Sequence, residues 1–291
     1  MYCVTLAVDR RATTLPSGVI AAVQDAACGL RVSDLAAGEA VDIVADAMPD
    51  AARVAQALDG FPADAIVTPV AARRKKLLIA DMDSTIVTGE TLDELAAYAG
   101  LKWRIAEITS RSMNGEIDFA EALRLRVAML EGLPTTALEE TWRRTTVSTG
   151  ARELVATMRR HGARTALVSG GFTFFTSRVA TMLGFDVHRA NTLAIENGRL
   201  TGRVVEPILD RDAKLATLSK AAAERGIGLP DTLAVGDGAN DLAMLRAAGL
   251  GVAYRAKPVV TRETRARIEH STLRTLLFAQ GYRASEFSGG G

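Results

Sequence analysis

Two aspartates one residue apart, Asp81 and Asp83, stand in the run KLLIADMDSTIVT, and the hydroxyls of Ser84 and Thr85 follow at once. Lys76 to Ala80 has the length and apolar composition of a buried parallel strand, so both carboxylates should emerge at its C-terminal edge. Ligands of open α/β sheets bind at that edge. A pair of carboxylates there can divide labour, one as nucleophile and the other as acid. A bare aspartate pair after a strand also fits a solvated turn. Three further segments favour chemistry: LVSGG at Leu167 to Gly171, DAKL at Asp212 to Leu215, and VGDGANDLAML at Val235 to Leu245. They come in the order and spacing that a phosphoryl-transfer site needs.

Each segment supplies a different part. Ser169, Gly170 and Gly171 follow a strand and precede a helix expected near Phe172, so backbone N–H groups and a helix N-terminus can face a bound anion. Lys214 stands just inside another expected helix, after Asp210 and Asp212, where its ammonium can neutralise phosphoryl charge. Asp237 and Asp241 follow a strand, with Gly238 keeping the turn tight. Strand-end carboxylates suit Mg2+, which takes hard oxygen ligands and bridges to phosphate, so Asp237 with Asp81 could hold one ion. Asn240 and Asp241 also fit N-terminal capping of the next helix, and the two roles are compatible.

These parts need a scaffold, and from Lys75 onward strands alternate with helices, as in a parallel sheet with crossover helices. The candidate strands are 76–80, 164–168, 185–189, 232–236 and 250–253. A helix-rich insertion at about 88–147 is too long for an ordinary connection and suits a lid. Within it, Phe119 to Leu130 has amphipathic helical spacing. IENGRL, Ile195 to Leu200, reads as a hairpin around Asn-Gly. Before Ala71, strands at 2–8, 41–46 and 64–69 and helices around 17–28 and 50–59 suggest a small α+β module. The division expected is therefore 1–72, 73–283 with its cap, and a flexible tail at 284–291.

The composition narrows the class. The chain has 291 residues, 48% of them hydrophobic, enough for two cores. With 35 Lys and Arg against 34 Asp and Glu, the net charge of +1 gives no bulk attraction to nucleic acid or an anionic membrane. Cys3 and Cys28 are far from a disulfide framework. The N-terminal MYCVTLAVDRR lacks a secretory pattern, and no apolar run reaches the roughly 18 residues of a membrane span, so a cytoplasmic location is expected.

The motifs together resemble the haloacid dehalogenase superfamily over most of Lys75 to about Leu277, and more closely its phosphoserine phosphatase family. The resemblance rests on DMDST, on Glu90 in TGETLDELA, on Ser169 to Phe172, and on GDGANDLAML. It implies a Rossmann-like α/β fold with a helical cap, and hydrolysis of O-phospho-L-serine to L-serine and phosphate as the last step of serine biosynthesis. By the same resemblance Asp81 is the nucleophile, and Asp83 protonates the leaving oxygen and later activates water. A protonated Asp83 at neutral pH needs its pKa raised by burial or a nearby carboxylate. Mg2+ would be bound by the side chains of Asp81 and Asp237 and the backbone carbonyl of Asp83. Ser169, Gly170 and Lys214 would hold the phosphoryl oxygens, supported by Gly171, Asn240 and Asp241.

Glu90 and Arg126 match the positions that read the amino and carboxylate groups of phosphoserine, a pairing suited to a zwitterion. Arg124 lies in the same LRLRV stretch, so the choice of Arg126 rests on resemblance. Met113 and Phe119 match apolar positions that close over the substrate. Other readings stay open: a phosphotransferase or broader phosphomonoester phosphatase with the same aspartyl-phosphate, or a phospho-accepting signalling module. The lid and Asp83 argue against the last. Residues 1–72 resemble ACT-like or ferredoxin-like modules, which raises an amino-acid effector, and a homodimer is also compatible.

Overall fold

The computed structural model describes residues 1–113 and 116–290, without the side chains of Ser110, Met113 and Arg211. The chain opens with β1 (Tyr2–Ala7), α1 (Ser17–Ala26), β2 (Arg31–Ala36), β3 (Ala40–Ala45), α2 (Ala51–Ala57) and β4 (Asp64–Pro69). The four strands form an antiparallel sheet in the order β2-β3-β1-β4. Val4, Leu6, Val23, Ile43 and Val54 join the core between sheet and helices. Strand β2 was not expected, because RVSDLA is half-exposed and lacks a clean apolar alternation.

The second layer starts with β5 (Leu77–Ala80) and passes through the cap helices α3 (Thr91–Tyr98), α4 (Lys102–Met113), α5 (Phe119–Ala128) and α6 (Thr136–Arg144). It continues through α7 (Ala151–Arg160), β6 (Arg164–Phe172), α8 (Thr173–Leu183), β7 (Val187–Glu196), β8 (Arg199–Val205) and α9 (Arg211–Glu224). Then follow β9 (Thr232–Gly236), α10 (Leu242–Ala247), β10 (Leu250–Tyr254), α11 (Pro258–Glu263), β11 (Ala266–Ile268) and α12 (Thr275–Ala279). The seven strands run in the order β11-β10-β9-β5-β6-β7-β8, parallel except for β8 against β7. All four residues of β5 and all five of β9 are buried, as unbroken apolar runs in a covered parallel sheet should be.

From β5 the chain crosses to β6 on one side and later returns to β9 on the other, so the C-terminal ends of three adjacent strands face one crevice. An isolated bridge between Val87 and Val147 closes the base of the cap. The cap is tied to the β7–β8 hairpin by the bridge of Pro134 with Arg199 and by Gly132 N–H donating to the Leu200 carbonyl. Asn197 and Gly198 turn that hairpin with φ of 50° and 72°, as a primed turn requires.

Two elements differ from expectation. Strand β6 runs on through Ser169–Gly171, with its register against β7 shifted between Val168 and Phe172, and α8 starts at Thr173. The segment from Ala284, expected to fray, packs instead: Phe287 lies against Phe278, Arg74 pairs with Glu286, and Ser288 N–H donates to Thr157 Oγ1. No helix among the described residues is long and apolar enough to cross a membrane.

Candidate active site

The backbone turns sharply after β5, and Ser84 adopts φ 54°, unusual for a residue with a Cβ. That turn leaves Asp81 buried, its Oδ1 accepting from Met82 N–H at 2.8 Å and lying 2.9 Å from Lys214 Nζ. Oδ2 of Asp81 has no hydrogen bond among the described residues, which leaves one oxygen of the carboxylate uncommitted. Lys214 sits in the first turn of α9, whose start is capped by Asp210 accepting from Asp212 N–H and Ala213 N–H. Its ammonium, 1% exposed, also lies 2.6 Å from Asp241 Oδ1.

Asp241 binds in two directions. Its Oδ2 accepts from the N–H groups of Asp237 and Gly238, so the same carboxylate shapes the turn after β9 and orients Lys214. A Cβ on Gly236 would lie 2.4 Å from the Asp241 side chain, so the turn closes only around glycine. Asp237 Oδ1 accepts from Thr85 Oγ1 at 3.3 Å.

Three carboxylates, Asp81, Asp237 and Asp241, offer oxygens within 4.8 Å of one another, with one ammonium among them. Burial and then Asp241 push the Asp81 pKa well above the ordinary range, and burial with Asp241 pushes Asp237 up to about 7. On Lys214, burial opposes the charge, but Asp241 and Asp81 outweigh it. The surplus of buried negative charge and the all-oxygen donors fit Mg2+. The structure brings Asp81 and Asp237 together in this cluster, and Asp241 joins them.

Asp83 turns to a different set of partners. Its Oδ1 accepts from Thr91 N–H at 2.9 Å and its Oδ2 from Ser169 Oγ at 3.2 Å. Burial and then the Glu90 charge push its pKa up to about 6, against the hydrogen bonds of Thr91 and Ser169. The two causes named from sequence, burial and a neighbouring carboxylate, are thus both present. Ser169 Oγ in turn accepts from Gly171 N–H at 2.8 Å. Asn191 Nδ2 donates to the Gly170 carbonyl while its Oδ1 accepts from Leu209 N–H, fixing the bulged turn.

Above the strand ends lies a cavity of about 820 Å³, roofed by the cap. Phe119, the first residue of α5, covers Gly170 so closely that a Cβ there would meet its Cζ at 3.2 Å. Arg126 lines the cavity, its Nε donating to the Ala122 carbonyl and its Nη1 to Thr109 Oγ1. Burial lowers its pKa, against Asp93 and Glu90. Arg124, by contrast, reaches Glu206 on the hairpin side at 2.7 Å. Geometry therefore separates the two arginines that the sequence alone left to resemblance. Glu90 lines the cavity and accepts from Ser84 Oγ at 2.7 Å, and Asn240 lines it near Gly170. The Met113 side chain lies outside the described residues.

Residues 78–246 match the haloacid dehalogenase-like hydrolase family. The chain belongs to that family. A phosphoserine phosphatase of Mycobacterium tuberculosis is 45% identical over 214 residues, which is 74% of this chain and 52% of that protein. The chain thus spans about half the length of that curated relative and of others like it. A solved structure of a phospho-aspartyl intermediate analogue of phosphoserine phosphatase is 40% identical, with a TM-score of 0.66 over 70% of this chain and 98% of the other. A probable phosphoserine phosphatase from Vibrio cholerae, in unliganded form, is 30% identical with a TM-score of 0.80, covering 99% of this chain and 90% of its own.

Sequence reading missed several residues that shape the site of this haloacid dehalogenase-like hydrolase: Thr91, Asn191 and the cavity-lining Lys257. Thr91 follows Glu90 directly at the start of a helix, and a helix N-terminal N–H facing a carboxylate is the local signal that could have marked it.

Proposed function

We propose that the chain hydrolyses O-phospho-L-serine to L-serine and phosphate through a phosphorylated Asp81. The observation that carries the reading is the Asp81 carboxylate, with Oδ1 pinned by Lys214 and Met82 N–H and Oδ2 left free at the floor of the cavity. Asp81 attacks phosphorus as the bond to the serine oxygen breaks, and Asp83 gives its proton to that oxygen. Water then attacks the phosphoryl group, Asp83 takes its proton, and phosphate departs with Asp81 restored. Ser169 Oγ, the Gly170 N–H and Lys214 hold the phosphoryl oxygens.

Asp81, Asp237 and the Asp83 carbonyl, with Asp241 close by, would hold Mg2+, which would supply positive charge to the phosphoryl group when bound. For substrate choice, Arg126 holds the carboxylate of phosphoserine and Glu90 its ammonium, while Phe119 excludes water. The likeness to a phospho-aspartyl intermediate analogue of phosphoserine phosphatase supports the chemistry, and the place of Arg126 in the cavity lining supports the amino-acid substrate. Such an activity closes a route to L-serine.

Phosphate release from L-phosphoserine with Mg2+, beside EDTA, Asp81→Asn and a panel of other phosphomonoesters, tests the proposal. Metal-dependent release lost in Asp81→Asn, with phosphoserine preferred, is expected. Equal rates across the panel would remove the substrate assignment, and release by Asp81→Asn at the parent rate would remove the nucleophile.

A further inference from the structure

Thr91 Oγ1 is buried and, among the described residues, is the one buried side-chain oxygen or nitrogen with no hydrogen-bond partner. Leaving a hydroxyl in that condition costs free energy, so a native structure that keeps one calls for an explanation. Thr91 is not remote from the chemistry. Its own N–H donates to Asp83 Oδ1, and a Cβ placed on Gly171 would meet Asp83 Oδ2, Ser169 Oγ and Thr91 Oγ1 at 2.8, 3.1 and 3.6 Å. Three side-chain oxygens therefore surround one point that glycine leaves open.

The donors around Asp83 do not all stay available during the proposed reaction. Its Oδ2 relies on Ser169 Oγ, and that hydroxyl carries a single proton. When Ser169 donates to a phosphoryl oxygen it releases Asp83. In the same interval Asp83 surrenders its proton to the leaving group and becomes a half-buried carboxylate, the form that most needs donors.

We propose that Thr91 is a positioning residue for Asp83, its hydroxyl supplying the donor that Ser169 withdraws. The inference rests on the phosphatase reading above. Thr91 touches no substrate. It holds the Asp83 carboxylate in line between the step that gives the proton away and the step that takes one from water. A rotation of the threonine side chain is the only movement required, and no atom is transferred.

The test compares Thr91→Val, which keeps the shape and removes the hydroxyl, with Thr91→Ser, which keeps the hydroxyl, in the full chain with Mg2+. Substrates are L-phosphoserine and p-nitrophenyl phosphate, and thermal unfolding checks that both variants fold. For Thr91→Val, kcat on phosphoserine should fall about 10- to 100-fold with KM within about threefold, and Thr91→Ser should restore most of it. An unchanged kcat in Thr91→Val, or equal losses in both folded variants, overturns the role. A parent that cleaves p-nitrophenyl phosphate but not phosphoserine removes the substrate assignment alone, and the pair is then read on that ester. A parent that cleaves neither ester overturns both readings.

Discussion

Lys214 Nζ lies 2.9 Å from Asp81 Oδ1 although the two residues come from different strand–helix units, and both side chains are buried. The ammonium is the compensating charge for a pocket of three carboxylates. Replacing Lys214 by methionine should cost about 3–5 kcal/mol of stability, the usual result of removing one partner from a buried pair. Turnover should fall by about 10²- to 10³-fold, as for loss of a fixed charge at a phosphoryl group. Urea unfolding and steady-state kinetics check the two effects, and a Lys214→Met enzyme as active as the parent would contradict this placement of charge.

Addition of Mg2+ should raise the melting temperature of the parent chain, since an ion at about 100 times its Kd contributes about 2.7 kcal/mol to the folded state. In Asp237→Asn the increment should disappear, because one of three clustered carboxylates is gone. Differential scanning calorimetry with and without EDTA reads this independently of catalysis. An equal increment in both proteins would place the ion elsewhere.

Arg126 lines the cavity and Arg124 pairs with Glu206 outside it, so their alanine variants should part company. Arg126→Ala is expected to raise KM for phosphoserine about 100-fold, the scale of a lost charge-assisted contact, while sparing p-nitrophenyl phosphate. Arg124→Ala should alter neither by more than about twofold, since exposed pairs contribute little. Equal losses on both esters in Arg126→Ala would mean that the arginine supports the cap and does not read the substrate.

Glu39, in the turn between β2 and β3, receives Arg274 through Nε at 2.6 Å and Nη2 at 3.0 Å, and Phe278 of the α12 helix that Arg274 precedes is buried against Ala7, Leu35 and Ala40. Asp64 adds hydrogen bonds from the N–H groups of Glu269, His270 and Ser271 and from Ser271 Oγ. The second face of the first sheet is thus consumed by the end of the chain. Glu39→Ala should cost about 3 kcal/mol by leaving Arg274 half-paired in a confined site. Chemical denaturation measures the loss, and a change below about 0.5 kcal/mol would show the contact to be incidental.

Cys3 is fully buried in β1, and burial, then Asp42, push its thiol up to about 12 from 9.0. The unfolded chain ionises first as pH rises, so the folded state holds the extra proton and stability falls above pH 9. The contribution is whole below pH 9 and is lost on the way to the folded value. Cys3→Ala should flatten that decline in a pH series of urea titrations. Native protein at pH 8 should react with a thiol reagent at the exposed Cys28 alone, and a second thiol should appear only in denaturant.

Much of the site was legible because its parts are local. An apolar run ending on Asp81, a Gly-Gly step after a strand, and Asp210 ahead of a helix carrying Lys214 are patterns of a few residues, and each predicts where a side chain stands relative to its own strand or helix. The parallel order that gathers Asp81, Ser169 and Asp237 at one edge follows from alternating strands and helices. Strand β2 escaped notice because half its side chains face water, and the tail from Ala284 resembled a frayed end because small residues carry no periodicity.

By itself, then, the sequence determined the α/β class, the inserted cap and the residues that could carry phosphoryl chemistry. Tertiary structure alone decided that Asp241 and Asp81 share Lys214, that Arg126 and not Arg124 enters the cavity, that Thr91 stands beside Asp83, and that Glu39 meets Arg274. The physical reason is range. Backbone periodicity is set by neighbours within a turn or a strand, whereas these pairings join side chains whose meeting depends on which faces dock, as with the 235 positions between Glu39 and Arg274.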